Sequence, residues 1–274
     1  MLSLSQTSSL VLVCDNVSYQ SPKSKEFLSH LNLSAGQNMY NKIQHLKPHL
    51  DEIIPNRKFI IHNYIRDSLK NKDIQTLTLA CGWDPVLVKM QEEFPNNSFF
   101  GVDSESIELQ QKLVKKIMPS SHIFYINEDI SSIDSLLDKL KKSGWSPDKA
   151  TCLVVEGISY YIPHGSFWNS LKALKESIKA PCFMCGDFLV NWKEQKVSPL
   201  SKKLGLGIFE MIKETCQHNY YTYTKNKMEE KLKELSFQNI NFWTQDEVQK
   251  KRTGSPEPWK KGEGHIWMFS AQSI

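Results

Sequence analysis

A chain of 274 residues and 31.7 kDa can bury one α/β core of ordinary size and still carry additions at both ends. With 40% apolar and 23% charged residues it has the composition of a soluble globular protein, and no apolar run approaches the roughly 20 residues that span a bilayer, which excludes a membrane-embedded role. The net charge of +4 is spread among lysine pairs and is not gathered into a basic arm, so nucleic acid has no footprint here.

The segment Ser9-Leu10-Val11-Leu12-Val13-Cys14 is apolar but short and has no basic residue before it, unlike a secretory signal. It reads as part of an N-terminal cap, and a cytoplasmic location follows. Cysteines 14, 81, 152, 182, 185 and 216, several of them inside apolar runs, fit buried thiols of a reducing compartment. From about Lys23 to Lys70 the pattern is helical: Phe27, Leu28 and Leu31, then Tyr40, Ile43 and Leu46, then Phe59, Ile60, Tyr64, Ile65 and Leu69 recur at three- and four-residue spacings. These helices are expected to cover the site formed downstream.

The core is expected to begin at Thr76. Leu77-Thr78-Leu79-Ala80-Cys81-Gly82 reads as a buried strand turning sharply at a glycine, and Asp84-Pro85 opens the first crossover helix, which Pro95-Asn96-Asn97 ends. A strand Ser98–Val102 leads to Asp103, and a helix follows from Ser104 to about Ile117 with Leu109, Leu113 and Ile117 on one face. Next come a strand Ile123–Ile126, the tripeptide Glu128-Asp129-Ile130, a helix with Leu136, Leu137 and Leu140, and the turn Gly144-Trp145-Ser146-Pro147-Asp148. Thr151-Cys152-Leu153-Val154-Val155-Glu156 is apolar on both faces, as a central parallel strand should be, and ends in a charge. A helix Pro163–Ile178 and a strand Cys182–Phe188 complete the alternation. Residues 190–224, with Trp192, Phe209, Tyr220, Tyr221 and Tyr223, are expected to form a lid or inserted helical layer. A lysine-rich helix Lys225–Leu235 precedes two strands, Asn239–Thr244 and Gly264–Ala271, joined by an irregular loop.

Alternating strands and helices argue for an α/β, doubly wound sheet. The closing strand pair with no helix between argues for a C-terminal antiparallel hairpin, the mark of a Rossmann-like methyltransferase sheet and not of a dehydrogenase. The organisation expected is a helical cap over 1–70, a core over 71–189, a helical and aromatic lid insertion over 190–224, and a helix with a strand pair over 225–274 that complete the sheet.

Leu77 to Asp103 has the strand, turn, helix and carboxylate spacing of a nucleoside-binding unit, in which Gly82 admits a close approach and Asp103 accepts from two ribose hydroxyls. A dinucleotide needs several glycines and free backbone N–H groups against its pyrophosphate. Here Gly82 stands alone, Cys81 carries a side chain and Pro85 lacks an N–H, which favours the phosphate-free S-adenosylmethionine.

The segment from Arg57 to Ile162 resembles the leucine carboxyl methyltransferase family. Arg57-Lys58-Phe59-Ile60-Ile61-His62-Asn63-Tyr64-Ile65 looks like that family's arginine-bearing helix, and Leu79-Ala80-Cys81-Gly82-Trp83-Asp84 is similar to its Leu-Gly-Ala-Gly-x-Asp turn. Val102-Asp103 is similar to its Glu-Val-Asp. Gly144-Trp145-Ser146-Pro147-Asp148 ahead of Val155-Glu156-Gly157-Ile158-Ser159-Tyr160-Tyr161-Ile162 resembles its Gly-Phe-Asp-Pro and Ala-Glu-Gly-Val-Leu-x-Tyr-Leu pair. Three departures stand out: Ala80 replaces the first glycine of the turn, Pro85 follows Asp84, and residues 1–50, where such proteins shape the substrate pocket, match no part of the pattern.

The resemblance implies roles. Arg57, one of three arginines in the chain with Arg66 and Arg252, would hold the methionine carboxylate of S-adenosylmethionine in a charge-assisted fork; otherwise it is a surface residue of the cap. Ala80 and Gly82 would line the methionine and ribose part, Asp103 would bind the ribose, and Asp129 with Ile130 would contact the adenine, unless Asp129 is a helix N-cap. Glu156 would accept from the cofactor's ammonium or be a member of a buried ion pair, and Tyr161 would be contact or packing.

Methyl transfer to a carboxylate needs no general base, because the acceptor is already ionised at pH 7, and alignment and desolvation carry the rate. For a phenol or an amine the candidates to assist are Tyr160, Tyr161, Asp187, His164 and His265. Cys182-Phe183-Met184-Cys185 has the spacing of a metal pair but no companion pair or histidine cluster, and residues three apart on a strand face opposite sides, so no metal site is expected. Trp259-Lys260-Lys261 and the aromatic 190–224 stretch could line an apolar pocket with a cationic rim or pack a lid. The reading is an enzyme that methylates the carboxylate of a small molecule and releases S-adenosylhomocysteine, with a protein C-terminal carboxylate or a catalytically silent cofactor-binding regulator as the alternatives.

Overall fold

The computed structural model describes residues 1–15, 17–46, 49–70, 73–105, 107–191 and 219–273. Four helices precede the sheet: α1 (Gln6–Cys14), α2 (Pro22–Ser29), α3 (Ser34–Ile43) and α4 (Leu50–Leu69). Capping hydroxyls start the first two. Ser5 accepts from the Ser8 N–H, and Ser21 accepts from the Ser24 N–H with Pro22 in the first turn. Two-residue strands β1 (Leu2–Ser3) and β2 (Leu31–Asn32) pair in parallel beside them. Helix α1 crosses α3 so closely that Gly36 lies against the backbone of Ser9 and Leu10, and its N–H donates to Ser9 Oγ at 2.9 Å.

The core sheet has seven strands. β3 (Gln75–Leu79), β4 (Phe99–Asp103), β5 (Ile123–Asn127), β6 (Thr151–Val155) and β7 (Cys182–Leu189) run parallel, while β9 (Ile266–Ser273) lies antiparallel between β7 and β8 (Gln238–Trp243). The order across the sheet is β5-β4-β3-β6-β7-β9-β8. It reverses between β3 and β6, which opens a crevice above their carboxyl ends. Helices α5 (Val86–Glu93), α6 (Ile107–Ile117), α7 (Ile133–Lys142) and α8 (His164–Ser177) make the crossovers, and α9 (Lys225–Glu234) follows β7.

Period-two alternation divides the core into two apolar layers. Leu153, Val155, Cys182 and Met184 pack on one face with Leu136, Phe167 and Leu171, whereas Cys152, Val154 and Cys185 pack on the other with Ile61, Ile65 and Leu69 of α4. Cys182 and Cys185 therefore sit on opposite faces, as their spacing requires.

The described residues differ from the sequence expectation in two places. Helix α10 (Gln245–Thr253) lies between β8 and β9, so these antiparallel neighbours are not a simple hairpin. Its start is a capping box of Thr244 with Glu247, and its end is Gly254 at φ 88°. This helix shows little apolar periodicity, and its caps are the signal that marks it. Leu109 is 45% exposed, because the buried face of α6 runs through Ile107, Gln110, Leu113, Val114 and Ile117. Of the expected lid over 190–224, residues 192–218, with Trp192 and Phe209, lie outside the described residues. Its flanks return to the sheet end, where Val190 bridges Tyr223 and the buried Tyr223 donates its N–H to the Leu189 carbonyl at 2.8 Å.

Helix α4 is the long strut over one sheet face. Arg66 makes a bidentate pair with Glu93 of α5 at 2.5 and 2.8 Å, and Tyr64 donates to the Ala271 carbonyl at 2.9 Å. At its other end Arg252 of α10 reaches Glu52 and Asn56, and Asn56 donates to the buried Gln245 at 3.0 Å. Among the described residues, no helix is long and apolar enough to cross a membrane. The α1–α3 crossing has a direct test. Gly36→Ala drives a methyl group into the Ser9 backbone, and it should lower stability by about 2 kcal/mol in urea unfolding, the usual cost of overpacking; an unchanged midpoint would show that the crossing can open freely.

Candidate functional site

A cleft of about 600 Å³ opens above the carboxyl ends of β3, β4, β5 and β6 and is roofed by the start of α1. The loop after β3 supplies Ala80, Cys81, Gly82, Trp83 and Asp84; β4 ends in Asp103; the loop after β5 supplies Glu128, Asp129 and Ile130; the loop after β6 supplies Glu156, Gly157, Ile158 and Tyr161. The β3 turn is left-handed twice, with φ of 50° at Ala80 and 51° at Gly82. No protein atom lies within 4 Å of where a Gly82 side chain would begin, so that side of the turn is open. The Gly82 N–H donates to Asp103 Oδ2 at 2.8 Å and the Glu105 N–H donates to Oδ1 at 3.1 Å, which together fix the Asp103 carboxylate at the cleft wall.

Beneath the cleft lies a buried cluster of charges. Arg57 and Lys58, adjacent on α4, are 4% and 1% exposed. Arg57 Nε lies 2.8 Å from Glu156 Oε1, and Nη1 lies 3.3 Å from Asp187 Oδ2 and donates to the Tyr160 hydroxyl at 3.2 Å. Lys58 pairs with the same Glu156 oxygen and with Asp84 Oδ2. Tyr19 donates its hydroxyl proton to Asp84 Oδ1, and that hydroxyl lies 3.4 Å from His62 Nε2. Asp187 accepts the Gly157 N–H at 2.6 Å, which ties β7 to the β6 loop.

Burial works against every charge here, and the pairing decides which survive. Burial opposes ionisation of Glu156, yet Lys58 and Arg57 together hold its carboxyl below the ordinary range. Burial likewise opposes the charge on Arg57, but Glu156 and Asp187 hold the guanidinium protonated more firmly than usual. Burial lowers Lys58 despite its carboxylates, and it raises Asp187 and Asp15. His62 is pushed far down, first by burial and then by Lys58, Lys89 and Arg66.

Arg57, Ala80, Gly82, Asp103, Asp129, Ile130, Glu156 and Tyr161, which the sequence reading put around one ligand, all line this cleft. Arg57 is not a surface residue, and Arg66 and Arg252 pair elsewhere, at the two ends of α4. Asp129 is not a helix N-cap: its Oδ1 accepts from the N–H and hydroxyl of Ser131, both at 2.7 Å, while Ser132 precedes α7. Of the residues named to assist an acceptor, only Tyr161 lines the cleft. Asp187 is fully buried behind Arg57, where β7 ends under the β6 loop, and Tyr160 is buried against Arg57. His164 starts α8 with its ring 4.3 Å from that of Tyr223, and His265 precedes β9, where burial lowers it to about 4. Sequence reasoning missed Lys58, Asp84 as an ion-pair member, Tyr19 and His62. The adjacent cations Arg57-Lys58 on an otherwise apolar helix face were the available signal.

Residues 19–175, more than half of the chain, match the family described as leucine carboxyl methyltransferase. The match starts within the cap, so it also covers part of residues 1–50, which the motifs alone had left unplaced. Among proteins of curated function, none matches the sequence. The chain is similar in structure to a DUF574 family protein from Streptomyces avermitilis, with 12% identity, a TM-score of 0.70, and coverage of 99% of this chain and 98% of that one. It is similar to a proposed methyltransferase from Thermobifida fusca, with 13% identity, a TM-score of 0.68, and coverage of 98% and 95%. A further likeness is to magnesium protoporphyrin IX methyltransferase from Synechocystis, crystallised with S-adenosylhomocysteine, at 9% identity, a TM-score of 0.51, and coverage of 82% and 86%. At these identities the structural likeness shows the fold.

The His62 environment carries a pH test. A histidine held neutral in the fold binds no proton where the unfolded chain, titrating near 6.5, does, so its stabilising share is complete above that pH and is lost as pH falls toward the depressed folded value. Between pH 6.5 and 5 the loss approaches about 1.4 kcal/mol per pH unit, the limit for one proton. His62→Gln should flatten the stability-versus-pH curve by that slope in urea titrations at pH 7, 6 and 5, and parallel curves would show that His62 titrates normally.

Proposed function

Because this chain belongs to the leucine carboxyl methyltransferase family, and is an S-adenosylmethionine-dependent methyltransferase, we propose that it methylates a carboxylate oxygen of a small molecule, with the cofactor held in the cleft over β3, β4 and β6. The observation that carries the assignment of the cleft is the pairing, in one cavity, of an Asp103 carboxylate fixed by the Gly82 N–H with a buried Arg57 and Glu156. The cavity suits the cofactor. Its turn is open at Gly82, its nucleoside wall carries Asp103 and Asp129, and its far end places the buried Arg57 beside the Glu156 carboxylate for a zwitterionic amino-acid moiety. When bound, the cofactor supplies an electrophilic methyl group on a sulfonium.

Asp103 would accept from the two ribose hydroxyls, with Ala80 and Gly82 lining the ribose and methionine. Asp129 and Ile130 would border the adenine, Arg57 would hold the methionine carboxylate and Glu156 the ammonium. The acceptor would lie beyond Glu156, where Gly157, Ile158, Tyr161 and Ile162 and the hydroxyls of Ser5, Thr7 and Ser8 line the cleft. Four of the lining carboxylates, Asp103, Glu105, Glu128 and Asp129, sit at the nucleoside end and leave that region without anionic groups of its own. No imidazole of the described residues lines the cleft, and a carboxylate acceptor, ionised at pH 7, needs no base. Roofing by α1 suits a small molecule better than a protein terminus, which would need an open groove.

Isothermal titration should detect S-adenosylmethionine with micromolar affinity, and Asp103→Ala should weaken it roughly a hundredfold, about 3 kcal/mol for two lost charge-assisted hydrogen bonds, with the fold retained. Unchanged affinity would move the ribose contact elsewhere. Methyl transfer to a panel of small carboxylic acids is the expected activity; transfer only to a peptide C-terminus, or binding without turnover on any acceptor, would replace it by the protein-directed or the regulatory alternative.

A further inference from the structure

Lys58 has no role in the contacts assigned above, yet it is the most deeply buried cation of the cleft and the point where two of its loops meet. Its ammonium touches Asp84 in the loop after β3 and Glu156 in the loop after β6, two segments 72 positions apart in sequence. Asp84 is held from its other side by the Val86 N–H at 2.9 Å and by the Tyr19 hydroxyl, which joins the cap to the same cluster. Glu156 is thus shared: Arg57 and Lys58 both reach its Oε1. A carboxylate that is to receive a ligand's ammonium must stay ionised while buried, and a single cation that also holds the ligand's carboxylate cannot be the whole of that support.

We propose that Lys58 is a positioning residue for the cofactor: by bridging Glu156 and Asp84 it keeps the Glu156 carboxylate ionised and aimed at the methionine end of the cleft, so that affinity for the amino-acid half of S-adenosylmethionine depends on it while affinity for the nucleoside half does not. The inference rests on the cofactor placement above. The groups that face this cluster are Arg57 on α4, Asp187 on β7 behind Arg57, Tyr160 after β6, Asp15 after α1, Tyr19 with His62 beyond Asp84, and Lys89 of α5 over the Tyr19 ring. Of the two further cations, Arg57 is already engaged by Asp187 and Tyr160, and Lys89 donates to the Ser18 carbonyl. Loss of one of its two cations would let burial raise the Glu156 carboxyl toward neutrality, since burial is the largest influence on it.

The test is titration of the full-length wild type, Lys58→Met and Lys58→Arg with S-adenosylmethionine and, separately, with adenosine, between pH 5.5 and 8. Lys58→Met should weaken S-adenosylmethionine by about tenfold or more at pH 7.5 and leave adenosine within about twofold. It should also gain an acid limb, affinity falling as pH drops below about 7, which the wild type lacks because its Glu156 is held ionised. Lys58→Arg should restore both the affinity and the flat profile. Should Lys58→Met not fold, the charge-balanced double variant Lys58→Met/Asp84→Asn carries the same comparison. Equal loss of the two ligands would reduce Lys58 to a structural residue, and an unchanged S-adenosylmethionine affinity and pH profile would remove the proposal. Failure of the wild type to bind S-adenosylmethionine at all would overturn the cofactor placement beneath it, and it would be seen before any substitution is made.

Discussion

Everything at the top of this sheet depends on two adjacent cations of one helix meeting one glutamate. Arg57 and Lys58 project from α4, Glu156 ends the run out of β6, and Asp84 and Asp187 close the cluster from the β3 loop and from β7. Arg57, Lys58, Glu156 and Asp187 are almost fully withdrawn from water, and Asp84 less so, at a cost of several kcal/mol per buried ion that only close and multiple pairing offsets. The cluster is for that reason poor as a source of stability and strong as a constraint. Removing Arg57 leaves Asp187 in the interior without its ion pair, at roughly 3–5 kcal/mol, and the shared pairs hold the helix, both loops and the end of β7 together.

That constraint explains why α4 is anchored so heavily elsewhere. A helix that must present two neighbouring residues, some 100° apart around its axis, to the same oxygen cannot roll or slide. The Arg66–Glu93 pair fixes it to α5, Tyr64 fixes it to β9, and the Glu52, Asn56 and Arg252 network fixes its start to α10. The three arginines thus divide between the cleft and the two ends of the helix that carries it. Helix α10 belongs to this scheme: it stands between two antiparallel strands where a short hairpin would satisfy the sheet, and it presents Gln245, Gln249 and Arg252 to α4.

What the sequence disclosed follows the range of the interactions involved. The five parallel strands were readable because their alternation and burial are local, and Asp103 and Glu156 were readable because a charge at the end of an apolar run is a local anomaly. The bridging role of Lys58 was not, since Tyr19, Lys58, Asp84 and Glu156 meet only through the topology. Leu109 was misplaced by reading a strict four-residue step, which drifts around a 3.6-residue helix, whereas the true face mixes steps of three and four and admits the polar Gln110. Helix α10 escaped because its core-facing residues are mostly amides, and a search for apolar periodicity does not see glutamine.

The glycine-poor turn takes on a different meaning from the one its composition suggests. Ala80 adopts a φ of 50° all the same, at a cost of about 1 kcal/mol for a residue with a Cβ, so the backbone of the turn is retained although the residue is not glycine. What separates this cleft from a dinucleotide site is its charge and not its loop shape. Among the described residues, Asp84, Asp103, Glu105, Glu128, Asp129 and Glu156 line it against two cations, Arg57 and Lys58. A pyrophosphate, which carries negative charge and no positive charge of its own, would enter against that surplus, and the Pro85 position offers no N–H. A ligand carrying a sulfonium and an ammonium against a single carboxylate has the opposite sign, and the same six carboxylates that would repel a dinucleotide favour it.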